Sequence, residues 1–169
     1  DLRTAETPLE KNGGTKLRVL VPLPETADES VFRKKLAELP MVRELDLRVS
    51  RGDSWTAMRA ADAGLIKSGT SSLEAALLDC PHVVVYRAHP VSEFIFRYFI
   101  RYTRAISLTN LIGSLPDSAR VVPELILENF DPRKMAEELE PLFDPRSLDR
   151  VVAMRRAFSN IRTILGKRS

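Results

Sequence analysis

From residue 17 onward, short apolar runs alternate with segments of helical periodicity. LRVLV (17–21), closed by Pro22 and Pro24, predicts a buried strand. Val31, Phe32, Leu36 and Leu39 then fall at helical spacing and predict a helix over 28–38. LDLRV (45–49) alternates as a second strand. Arg51-Gly52-Asp53-Ser54 supplies a turn and an N-cap for a helix running through Met58 to Ala61. AGLIKS (63–68) and HVVVY (82–86) read as the third and fourth strands, flanking a helix over SSLEAALL (71–78). An aromatic helix at 91–103 precedes AISL (105–108), a fifth strand on this reading. Asp131-Pro132 and Asp144-Pro145 combine N-cap and N1-proline signals and open helices over 132–142 and 147–165.

Strands separated by helices at this pitch predict an α/β fold: a Rossmann-like, doubly wound and mainly parallel sheet. The near-continuous apolar strands favour parallel pairing, because a sheet covered on both faces needs no polar side. The 169 residues leave room for one domain, or for a domain with a tail. The organisation expected is a polar linker or frayed terminus at 1–16, a Rossmann-like domain at 17–145 and a C-terminal helix at 146–169. No apolar run approaches the roughly 20 residues that span a bilayer. Residues 1–14 lack the apolar core of a signal peptide. A single cysteine, Cys80, fits a reducing compartment.

Charge changes the picture at one end only. Residues 146–169 carry seven Lys/Arg against Asp149, whereas the preceding chain has 19 basic and 22 acidic residues. A mildly acidic body thus ends in a basic helix. Either this helix docks on a partner or an anionic surface, or its basic residues form a solvated outer face. Its apolar positions, including Val151, Met154, Phe158 and Ile161, suit three arrangements: packing on its own sheet, crossing to another domain, or exchange in a homodimer.

Ligands of parallel sheets bind beyond the carboxyl ends of strands, which directs attention to KSGTSSLEAALLDCP (67–81). Here a strand ends at Lys67-Ser68, Gly69 turns the chain and a helix follows. A glycine lets a ligand approach the backbone, and the free N–H groups and dipole of a helix start attract anions. Ser68, Thr70 and Ser71 add hydroxyls. Glu74 follows Thr70 by about one helical turn, ~6 Å along the axis, where it can accept hydrogen bonds from a ribose attached to a bound diphosphate. The competing reading is structural: Ser71-x-x-Glu74 is also a capping box. No G-x-G-x-x-G or P-loop lysine motif accompanies it.

The run ADAGLIKSGTSSLEAALLDCPHVVVYR (61–87), followed by ISLTNLIG (106–113) and VVPELI (121–126), resembles lipid-A-disaccharide synthase over about residues 17–165. Members of that family are inverting glycosyltransferases of GT-B fold. They transfer a UDP-activated 2,3-diacylglucosamine to 2,3-diacylglucosamine 1-phosphate, release UDP and so build the core of lipid A. The matched region is the C-terminal, donor-binding half. The resemblance implies that Ser68, Gly69, Thr70 and Ser71 face the UDP phosphates and Glu74 the ribose. Asn110 corresponds to an asparagine near the nucleotide sugar, and Arg87 and Glu124 to positions that contact substrate. For the last three, structural readings stand alongside: Asn110 and Glu124 as helix caps, Arg87 as the partner of an acid. Thr109 stands where the family has proline, and LPDSAR (115–120) where it has a shorter stretch.

By the same resemblance the partners are a UDP-sugar donor, a lipid-linked acceptor, a membrane surface and an N-terminal GT-B domain that carries the catalytic base. That domain and its L-P-G-S-R segment are not visible here, so the chain alone is expected to be inactive. No cofactor or metal is implied. The expected location is cytoplasmic and peripheral to the inner membrane. Other UDP-sugar enzymes of GT-B fold (a UDP-GlcNAc transferase or an epimerase) and a non-catalytic membrane- or partner-binding module are the alternatives.

VSEFIFRYFIRYTR (91–104) holds five of the eleven aromatic residues, while Arg97, Arg101 and Arg104 share one helical face. Phe94, Phe96 and Phe99 with these arginines compose a helix suited to a membrane interface; core or partner packing is the milder reading. The chain lacks a broad basic groove, so nucleic acid is not an expected partner. Cys80, His82 and His89 do not follow a zinc spacing. Cys80 and His82 read as structural and His89 as exposed.

Overall fold

A computed structural model describes residues 17–39, 45–87, 105–113, 120–126 and 129–166. The expectations for residues 1–16, for His89, for the aromatic helix at 91–104 and for loop residues 115–119 lie outside the described residues. The chain divides into two units, Asp1–Ala61 and Asp62–Ser169.

In the first unit, β1 (Arg18–Leu23) and β2 (Asp46–Arg51) pair in parallel, with Arg18 opposite Asp46 and Leu23 opposite Arg51. The crossover carries α1 (Glu29–Ala37), whose N-cap Asp28 accepts a 2.8 Å bond from the Ser30 N–H. The strand runs two residues past its expected end at Val21, through Pro22 to Leu23. Proline cannot donate to a ladder, and among the described residues β1 has a strand on one side only, so Pro22 is accommodated. Gly52, at φ +64°, turns the chain after β2 and donates its N–H to Leu23 O at 3.0 Å. Then α2 (Ser54–Ala60) begins, with Asp53 as N-cap but without a side-chain cap bond. Trp55 on α2 is 60% exposed. Leu36 and Met58 are the buried apolar side chains among this unit's described residues.

The second unit is built on a parallel sheet in the order β3 (Gly64–Lys67), β4 (His82–Tyr86), β5 (Glu124–Ile126). Gly64 lies opposite His82, and Val84 opposite Glu124. Helix α3 (Thr70–Leu77) links the first two strands, and α4 (Leu108–Gly113) precedes the third. Beyond the sheet come α5 (Pro132–Leu139), 3-10 turns at Glu140–Leu142 and Pro145–Ser147, and α6 (Leu148–Gly166). Asp131-Pro132 opens α5 as expected, whereas Asp144-Pro145 opens the 3-10 turn that leads into α6 rather than α6 itself. Asp131 accepts from the N–H groups of Arg133 and Lys134, and Asp144 from that of Arg146. Pro141 lacks the N–H that an α-helical turn would use, and the chain tightens to 3-10 geometry there.

Helices α3, α4 and α6 pack on one another, and α5 lies against β3 and β4. Val83 and Val84 of β4 and Leu125 of β5 meet Met135, Met154, Phe158 and Ile161 in one core. Helix α3 ends on Asp79 in the left-handed region (φ +64°), with N–H bonds from Asp79 to Ala76 O and from Cys80 to Ala75 O. Arg162 of α6 completes that end, donating to Ala76 O at 3.2 Å and to Asp79 Oδ1 at 3.2 Å.

One expected strand is absent. AISL (105–108) is not a strand: it runs as irregular chain into α4 at Leu108, and the third strand of the sheet is Glu124–Ile126. The reason is local. The N–H groups of Ile106 and Ser107 that a strand partner would take are bonded to the Glu124 carboxylate instead.

Candidate functional site

The bend between β3 and α3 lies at the carboxyl edge of the three-stranded sheet, where Ser68 N–H still bonds to Val85 O at 2.9 Å. Gly69 follows at φ +135°, ψ −154°, a region essentially reserved for glycine, and is the N-cap of α3. Its carbonyl is drawn inward by Ser72, which donates both Oγ–H (2.9 Å) and N–H (3.3 Å) to it. The N–H groups of Gly69, Thr70 and Ser71 precede the reach of the helical ladder and have no acceptor among the described residues. A Cβ built on Gly69 would meet nothing within 4 Å, so no described side chain plugs the bend at the glycine itself. Gly69 and Thr70 are exposed, Ser68 and Ser71 half-buried.

Because α3 starts at Thr70, Ser71 lies inside its first turn, and Ser71 and Glu74 do not form the capping box that their spacing allows. Glu74 is half-buried, and its carboxylate has no hydrogen-bond or ionic partner among the described residues. Three N–H groups, flanking hydroxyls and a carboxylate one turn further along suit an anionic group with an attached polyol.

Asn110 and Glu124 stand differently. Asn110 is 1% exposed, and both ends of its amide are engaged. Nδ2 donates to Val122 O (2.9 Å) and to Glu124 Oε1 (2.8 Å), and Oδ1 accepts from Val122 N–H (3.0 Å). Glu124, 6% exposed, also accepts from Ile106 N–H (3.1 Å) and Ser107 N–H (2.9 Å). The cap of α4 is Ser107, whose Oγ accepts from Asn110 N–H at 3.2 Å. Arg87, exposed after β4, places its guanidinium 5.9 Å from the centre of the Phe130 ring. This buried network was not legible as such in the sequence. Its signal is a set of polar residues, Ser107, Thr109, Asn110 and Glu124, inside mainly apolar blocks.

Cys80 and His82 are fully committed to the core. Burial pushes the Cys80 thiol up to about 11, so it stays protonated. His82 donates Nδ1–H to Cys80 O at 2.8 Å and stacks on Phe158 with ring centres 5.5 Å apart. Desolvation holds it neutral, with its pKa lowered to about 4. Among the described residues no cluster of three His, Cys, Asp or Glu is placed to hold a metal ion. No described helix is long and apolar enough to cross a membrane.

Parallel strands, helical crossovers and an open turn at the carboxyl edge define an α/β protein of Rossmann-like type. Residues 4–161 match the family model described as lipid-A-disaccharide synthetase. Over 126 residues, 75% of this chain and 31% of the relatives, the sequence is 36% identical to lipid-A-disaccharide synthases of Salmonella arizonae and Salmonella paratyphi B. The chain belongs to the lipid-A-disaccharide synthase family, a family of glycosyltransferases. It spans about a third of the length of the curated relatives it matches.

Proposed function

We propose that this chain forms the donor-binding part of a lipid-A-disaccharide synthase. It holds UDP-2,3-diacylglucosamine while the sugar passes to 2,3-diacylglucosamine 1-phosphate and UDP leaves. The observation that carries this reading is the bend at Gly69, where the N–H groups of residues 69–71 have no acceptor among the described residues, a Cβ would meet nothing within 4 Å, and the Glu74 carboxylate, without a partner among the described residues, follows one turn on. In an inverting transfer negative charge grows on the departing diphosphate. Fixed amide dipoles stabilise that charge without reorganising. Thr70 and Ser71 add hydroxyl donors to the diphosphate, Ser68, whose hydroxyl hydrogen goes to Ile106 O, lines the bend, and Glu74 accepts from the ribose hydroxyls. Arg87, exposed at the end of β4, is the candidate contact to the rest of the substrate. The base that takes the proton of the acceptor hydroxyl belongs, on this reading, to the acceptor-binding part of the family's fold, and turnover requires that part.

Ligand that binds only the folded chain raises its melting temperature by mass action. UDP at about a hundred times its dissociation constant therefore stabilises the chain by about 2.7 kcal/mol. Glu74→Ala should abolish the shift while leaving the unliganded melting temperature close to that of the parent. Calorimetry with and without UDP checks both. No shift in the parent chain would overturn the reading and leave a binding module of another kind.

A further inference from the structure

We propose that Glu124 and Asn110 set the shape of the Gly69 bend from behind, as positioning residues for its ligand rather than contacts to it. The inference rests on the reading of that bend as a nucleotide diphosphate site. It starts from the carboxylate of Glu124, buried on β5 and held by three neutral donors: Ile106 N–H, Ser107 N–H and Asn110 Nδ2–H. A buried charge with neutral donors tolerates the loss of none of them cheaply, because each lost bond leaves charge undersatisfied. Residues 106–110 are thereby fixed in place. Asn110 has no amide hydrogen left to offer a ligand, since Nδ2 carries two and both are used.

The segment so fixed touches the bend twice. Ser68 Oγ–H donates to Ile106 O at 3.4 Å, and the fully buried Thr109 donates Oγ1–H to Ser72 O at 2.7 Å. Ser72 is the residue that pulls the Gly69 carbonyl inward through both its hydroxyl and its N–H. Hydrogen bonds joined by the backbone of residues 106–110 and of Ser72 thus link the Glu124 carboxylate, through the start of α4 and the first turn of α3, to the glycine carbonyl. With that carbonyl turned inward, the N–H groups of Gly69, Thr70 and Ser71 are left for the ligand. Thr109 is part of the device because its hydroxyl closes the gap between the two helices.

The test uses the whole chain with amide NMR in the absence of ligand and UDP titration by calorimetry, well below the melting temperature. Glu124→Gln keeps the shape but turns an amide toward N–H donors. Thr109→Val removes only the bond to Ser72 O, and Thr109→Ser retains it. In folded Glu124→Gln and Thr109→Val the Gly69 and Thr70 amide resonances should move and UDP should bind about tenfold more weakly, with Thr109→Ser matching the parent. Parent-like resonances and affinity in folded Thr109→Val would overturn the proposal, whatever its effect on stability. Should Glu124→Gln fail to fold, Thr109→Val decides alone, since it leaves the carboxylate and its donors intact. A parent chain that does not bind UDP would sink the nucleotide reading, while the ligand-free resonances would still decide whether Glu124 and Thr109 shape the bend.

Discussion

Two glycines show how differently one missing methyl group can matter. Gly69 has empty space where a Cβ would stand but a backbone at φ +135° that side chains resist. Gly113, at the end of α4, has the opposite problem: a Cβ there would lie 2.8 Å from Ile161 Cδ1 and 2.9 Å from Val121 Cγ2. Gly69→Ala should therefore cost about 1–3 kcal/mol in backbone strain. Gly113→Ala should cost about as much in overpacking against α6. Denaturant melts are expected to rank the two variants together, but UDP should stabilise only Gly113→Ala. Equal responses to UDP would mean that the bend takes no part in binding. At this scale the sequence was informative about Gly69, because the neighbouring serines and Glu74 gave its turn a chemical meaning. It was silent about Gly113, whose constraint comes from Ile161, far along the chain.

Among elements, the join between β4 and α6 is made by rings. His82 begins the strand, Phe158 lies mid-helix, and the planes stack at 15° with both side chains fully buried. The imidazole stays neutral because burial strips solvent from its charged form, and Nε2 has no partner among the described residues. Its pKa, about 4 when folded against 6.5 as the unfolded reference, fixes a sign. The unfolded chain binds the proton first, so stability is complete above about pH 6.5 and falls as pH drops toward 4, by about 3 kcal/mol. Urea unfolding across that range, compared with His82→Phe, should show the extra slope in the parent alone. Parallel slopes would refute the neutral, buried assignment.

The same scale shows what the sequence could and could not supply. The β3–α3–β4 unit was readable to within a residue because its apolar runs, Gly69 turn and β-branched strand all point one way. AISL (105–108) was not. A four-residue run with three apolar positions pairs only if a neighbour offers acceptors in ladder geometry, and the acceptor here is a side chain 17 and 18 residues away, Glu124. The capping-box reading at Ser71 turned on a single residue of helix start, below what periodicity resolves.

For the whole molecule, charge and coverage matter more than any contact. The basic segment from 146 onward ends a mildly acidic body, and Arg97, Arg101 and Arg104 recur beside Phe94, Phe96 and Phe99 in one stretch of sequence. If these residues meet a membrane surface, as the sequence leads one to expect, the chain should sediment with vesicles containing anionic lipid. It should do so more at about 0.05 M salt than at about 0.5 M, since exposed charges are screened. Equal recovery in the supernatant with and without vesicles would remove the membrane from the account and leave the UDP test untouched.

Trp55 also bears on how these measurements are made. It is the only tryptophan in the chain, stands in the first unit and is already 60% open to water. Its emission therefore has little room to shift to longer wavelength on unfolding, and it reports from a different unit than the Gly69 bend. A fluorescence melt would record a nearly flat line while the second unit lost its structure. Heat capacity or far-ultraviolet dichroism reads the transition that matters, with indole emission as the quiet internal control.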